Sequence, residues 1–88
     1  MNLQVELSVF DKRVEHFARC RAYVLQAVTA NPGMTYIEIR EWIREHKRFI
    51  MEDVGRRVRE LARDLKPNFV EIRYDEGGHA HVYPKETF

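Results

Sequence analysis

The chain has a single cysteine, Cys20, so no internal disulfide is open to it. That excludes a secreted, disulfide-stapled scaffold and suits a reducing cytoplasm. No run of apolar residues comes near the roughly 18 that a membrane crossing needs, and no membrane partner is expected. The opening, MNLQVELSVF, has neither the basic flank nor the long apolar stretch of a signal peptide. An excess of one charge is missing too: 15 Lys and Arg face 14 Asp and Glu, leaving a formal net charge of +1. Nothing is low-complexity, and no segment repeats. What remains is 44% apolar and 33% charged, the balance of a folded globular chain and not of a disordered one. Its 88 residues make one domain with a modest core.

The segment LQVEL alternates apolar and polar residues, so residues 1–9 read as a short strand or an extended arm. Ser8 and Asp11, three apart, give a helix-start signal. Phe10, Val14, Phe17, Val24 and Val28 then recur at spacings of four, three, seven and four. That is one helical stripe over 10–30, ended by the Asn-Pro-Gly of Asn31 to Gly33. A second helix starts at Thr35, which with Glu38 forms a Thr-x-x-Glu capping box, and Met34 is placed to staple onto Ile39. Ile39, Trp42 and Ile43 share its buried face, with Tyr36 beside it and Ile37 toward solvent. EHKRFI interrupts the pattern, and Val54, Val58, Leu61 and Leu65 resume it until Pro67. FVEIRY and HAHVY alternate around DEGG, predicting a β-hairpin over 69–83. A three-residue loop would group Val70 and Ile72 with Ala80 and Val82, and a two-residue loop would turn them toward His79, His81 and Tyr83. The register that gathers the aliphatics is preferred. The fold class is therefore α+β, mainly helical.

Catalytic chemistry finds little support. Glu15 and His16 are adjacent in sequence and point apart on a helix. Cys20 reads as a small buried hydrophobe. His79 and His81 stand on one strand face, but no cysteine pair or third ligand accompanies them, so a metal site is not expected. No glycine loop suits a phosphate. Neither an enzyme, a cofactor nor a small-molecule ligand is predicted.

Three segments resemble the winged helix-turn-helix superfamily of small bacterial and phage regulators. MTYIEIREWI is similar to its first motif helix, VGRRVRELARDL to its recognition helix, and NFVEIRYDEGGHAHVYP to its wing with tip glycines and a closing Tyr. The likeness spans Met34 to Pro84, the helix-turn-helix occupying 35–65. It departs at Arg40, where the family has a small Ala between helices, and in EHKRFIM, a longer turn without the common Gly or Ser. The resemblance implies double-stranded DNA as partner and a transcriptional or replication role.

On a helical wheel, Arg56, Arg59 and Arg63 oppose the stripe of Val54, Val58, Leu61 and Leu65, with Arg57 on a flank. Guanidinium forks suit phosphates and the O6/N7 edge of guanine. The family's geometry would send this helix into the major groove, with Arg56, Arg57, Arg59 and Arg63 at the DNA. Lys47 and Arg48 would hold the backbone from the turn, and Arg73, His79 and His81 would reach it from the wing. A net charge of +1 implies weak non-specific affinity. An Arg- and Glu-rich helix face is also what an ordinary solvated surface looks like. The competing expectation is a winged-helix protein-docking module without nucleic acid. Tyr23 and Leu25, off the first helix's main stripe, offer a surface for a homodimer.

Overall fold

The computed structural model of the protein describes residues 3–85, with side chains from residue 12 onward. Helices α1 (Leu3–Ala30), α2 (Tyr36–Lys47) and α3 (Val54–Arg59) come first, α3 running on into a π-helical turn, Glu60–Asp64. Strands β1 (Val70–Tyr74) and β2 (Ala80–Pro84) follow as an antiparallel hairpin. The order and the mainly helical α+β class are those predicted. No described helix is long and apolar enough to cross a membrane.

The N-terminus corrects the sequence expectation. LQVEL is helix, not strand or arm, and Ser8 lies inside α1 instead of capping it. Alternation over five residues also puts Leu3 and Leu7 one turn apart, and Leu, Gln and Glu are good helix formers. An unpaired strand there would leave its backbone groups without partners, whereas a helix bonds its own. Residues 1 and 2 of the expected arm, and the side chain of Phe10, lie outside the described residues. The apolar stripe divides along α1: Val24 and Val28 are fully buried, while Val14 and Phe17 are 49% and 41% exposed.

The capping box is present. Glu38 N–H donates to Thr35 Oγ1 at 3.3 Å, and Thr35 N–H donates back to Glu38 Oε1 at 3.0 Å. Two donors at the start of α2 are thereby satisfied. The helix stops at Arg48, whose φ of 52° is left-handed. Ile39 and Ile43 are buried, Trp42 stacks on His46 at 4.3 Å, and Ile37 is exposed. Arg40 is exposed too. The turn that interrupts the apolar pattern is not wholly solvated, because Met51 drops into the core beside a half-buried Phe49.

Asp53 caps α3, accepting from Arg56 N–H at 3.0 Å. Downstream, Leu65 N–H reaches back five residues to Glu60 O at 3.0 Å, the π-helical bond, and Leu65 itself is already extended. Helical pairing therefore ends before the cis Lys66–Pro67 peptide. Ile72 faces Val82 and Tyr74 faces Ala80, so the aliphatics share one face as preferred. Asp75 N–H to His79 O, 3.0 Å, closes a loop of Glu76, Gly77 and Gly78. Gly78 takes the positive φ, 82°, that such three-residue loops require. The hairpin is tied to the helices by Met34, which bridges Val82. Cys20, Val24, Ala27 and Val28 of α1 meet Ile39, Ile43, Val54, Val58, Leu61, Val70 and Val82 in one core.

Candidate nucleic-acid interface

Three of the four arginines predicted for the third helix reach the surface. Arg56, Arg59 and Arg63 are exposed, opposite buried Val54, Val58 and Leu61. Gly55 brings α2 close: a side chain there would meet Arg59 Nη1 at 3.1 Å and the Tyr36 ring at 3.4 Å. Arg59 thus folds over the glycine against Tyr36. Burial, with Tyr74 nearby, raises the Tyr36 phenol above its ordinary pKa, so it stays a neutral O–H at physiological pH. Arg63 lies across a groove of about 300 Å³ between the π turn and the hairpin, which Tyr74 and Lys85 also line. Arg59, Arg63, Tyr36, Tyr74 and Lys85 therefore form a basic, aromatic-bearing surface where α2, α3 and the hairpin meet. Two aromatic rings and two guanidinium groups on one surface can stack on, or bond to, a charged planar ligand.

Arg57 does not share that exposed face. It is buried, 5% exposed, with its guanidinium 4.3 Å over the Phe17 ring of α1. Its Nε sits 3.0 Å from Glu60, which Arg21 of α1 also approaches at 3.4 Å.

The remaining predicted contacts scatter. Lys47 turns back, with Nζ 5.7 Å from the Tyr23 ring of α1. Arg48 is exposed just beyond α2. Arg73 occupies the other face of the hairpin, over Tyr83 at 4.4 Å and bonded to Glu71 at 3.1 Å. His81 is engaged within the fold, Nδ1 lying 2.8 Å from Gly33 O and Nε2 2.8 Å from Asp75 Oδ2. His79 is exposed, 3.4 Å from Asp75. No cluster of three His, Cys, Asp or Glu suited to a metal occurs among the described residues. Burial pushes the Cys20 thiol above its ordinary pKa, so it is not a ready nucleophile.

Tyr36, Tyr74 and Lys85 were missed by sequence reasoning. Tyr74 was in principle available, since it continues the Val70, Ile72 alternation onto the helix-facing side. Tyr36 needed the contact across Gly55, which is not local in sequence.

No family model, curated protein or solved structure matches the chain.

Proposed function

We propose that this protein binds double-stranded DNA as a winged helix-turn-helix module, with α3 as the reading helix and the β1–β2 hairpin as the wing. Carrying this reading is the exposure of Arg56, Arg59 and Arg63 opposite the buried stripe, with Arg59 and Arg63 beside Tyr36, Tyr74 and Lys85. An α-helix of this kind fits the major groove, and its arginines offer forks to guanine edges or phosphates. The wing's part is smaller than the sequence implied, because His81 already serves the fold and Arg73 is paired. A small transcriptional or replication regulator of the cytoplasm is the role that fits.

A mobility shift with random duplex DNA across a salt series tests this. Binding at low salt that falls steeply as salt rises is expected, because released counterions drive it. Absence of any shift at low salt would instead favour a protein-docking module, to which exposed Ile37 and Ile50, at 75% and 68%, would be anchors.

A second copy would dock on α1. Tyr23 is withdrawn from that surface by its edge-on contact with Phe49, 5.3 Å between rings. Leu25 remains, with Ala22, Gln26, Thr29 and Ala30 around a shallow depression. Sedimentation showing a dimer at micromolar concentration is the expected result, and a monomer would remove this partner.

A further inference from the structure

Helix α1 outruns the fold that it supports. Every residue over 12–19 is exposed, and Cys20 is the first of the described side chains on α1 to be buried. Ahead of it the chain covers little of its own helix: Phe17 meets Arg57 on one side, and Val14 stands half-exposed. Isolated helices are marginal in water, and most helical stability comes from packing an apolar face against something. This half of α1 has such a face.

Val14 and Phe17 belong to a repeat longer than the exposed stretch. Leu3, Leu7, Phe10, Val14 and Phe17 are spaced four, three, four and three, and beyond Arg21 the alternation reaches Val24 and Val28. A strict seven-residue repeat is the seam of a left-handed coiled coil, with Leu7 and Val14 at a positions and Leu3, Phe10 and Phe17 at d. Val24 and Val28 are buried in the chain's own core. The seam is therefore filled from within at one end and open from Leu3 to Phe17, a length of about 21 Å at roughly 1.5 Å per residue.

A second helix with the same repeat fits such a seam, and another copy of this chain supplies one. The orientation follows from the rest of the fold. The globular body sits on the seam at Val24 and Val28, so parallel copies would bring their bodies into collision just beyond Phe17. Opposed copies place the bodies at opposite ends. Flanking charge agrees, since Glu6 and Arg13 hold g positions and Asp11 an e position. Parallel pairing sets g against e, putting Glu6 beside Asp11 of the other copy. With the helices opposed and Leu7 across from Phe10, Glu6 of each copy meets Arg13 of the other, twice across the two-fold.

We propose that the exposed half of α1 pairs with the same segment of a second copy as a short antiparallel coiled coil, from Leu3 to Phe17. The seam lies elsewhere on α1 than the depression around Leu25, and it depends neither on that depression nor on DNA binding.

Sedimentation equilibrium of the full chain, with far-UV circular dichroism on the same samples, tests it. The parent should be a dimer at tens of micromolar and should lose helical signal on dilution to monomer. Val14→Glu puts a charge in the seam without touching the core, and should weaken the dimer at least about tenfold. Leu25→Glu should leave it unchanged. Glu6→Arg reads the orientation, because it should weaken an antiparallel pair several-fold and strengthen a parallel one. A monomeric parent, undiminished dimerisation of Val14→Glu, or separation of the copies by Leu25→Glu alone would overturn the seam. Tighter dimerisation of Glu6→Arg would overturn the antiparallel arrangement.

Discussion

His81 reaches from strand β2 to Asp75 at the start of the loop, Nε2 to Oδ2, across 2.8 Å. Its other nitrogen, Nδ1, meets Gly33 O, also at 2.8 Å. A carboxylate and a carbonyl can only accept, so both ring nitrogens must donate and the ring is an imidazolium. The hydrogen bonds from Asp75 and Gly33 hold its pKa above the ordinary 6.5. Asp75 is correspondingly lowered to about 2, chiefly by His81 and by the His79 backbone N–H.

A pH dependence of stability follows. The His81 contribution is fully present below pH 6.5 and is lost as pH rises through the raised folded value. The Asp75 contribution is present above 3.8 and is lost as pH falls toward about 2. The pair therefore contributes fully between these limits. Thermal melts from acid to mildly alkaline pH should show Tm falling as pH rises above 6.5, and His81→Gln should flatten that fall. An unchanged alkaline slope in His81→Gln would count against the imidazolium.

The exposed arginines should separate binding from folding. Arg59→Ala or Arg63→Ala is expected to change stability by no more than about 0.5 kcal/mol. A lost base contact would cost roughly 1–3 kcal/mol of discrimination at one base pair. A lost phosphate contact would instead weaken all sequences alike and reduce the salt slope by about one. Val58→Ala is the opposite case, since Val58 is fully buried. It should destabilise the fold by about 2 kcal/mol in urea unfolding. If all three arginine variants, Arg56→Ala included, bind duplex like the parent, the stripe is only a solvated surface.

Thr35→Ala should lower stability by about 1 kcal/mol, because it removes the hydroxyl that accepts from Glu38 N–H. Glu38→Gln should cost much less, as its amide oxygen can still accept from Thr35 N–H. Chemical denaturation of the two variants checks the order. Equal losses would mean that the box acts through the charge of Glu38.

Arg57 and Glu60 should respond unequally to substitution. Glu60→Ala leaves a side chain only 7% exposed without its counter-ion and should cost about 2 kcal/mol. The loss stays below that for a fully buried pair because Glu60 itself is 21% exposed. Arg57→Met removes the charge and keeps the volume, so it should be close to neutral or stabilising. Denaturant midpoints of the two variants give the comparison, and a larger loss for Arg57→Met would reverse the account.

Local chemistry made part of this legible in the sequence. The capping box at Thr35, the aliphatic register of the hairpin and the exposure of Arg56, Arg59 and Arg63 all follow from spacing. What was not legible depends on distant partners. Arg57 sits on a wheel's flank, and the Phe17 ring contributed by α1, together with Glu60, draws it inward. Tyr36 joins the basic surface because Gly55 lets α2 approach, and a sequence shows a glycine without showing what crosses it. The alternation of LQVEL misled for a different reason: five residues are too few to tell a strand from one and a half helical turns.

Arg48 ends α2 in a left-handed conformation that glycine adopts freely and arginine adopts at a cost of about 1 kcal/mol. Selection for a more durable protein alone would replace it with glycine. An arginine retained at this corner would mark a compromise, in which some robustness is given up to keep a cation facing outward. Among variants chosen for heat resistance, position 48 is therefore where gains in endurance and losses in activity should first coincide.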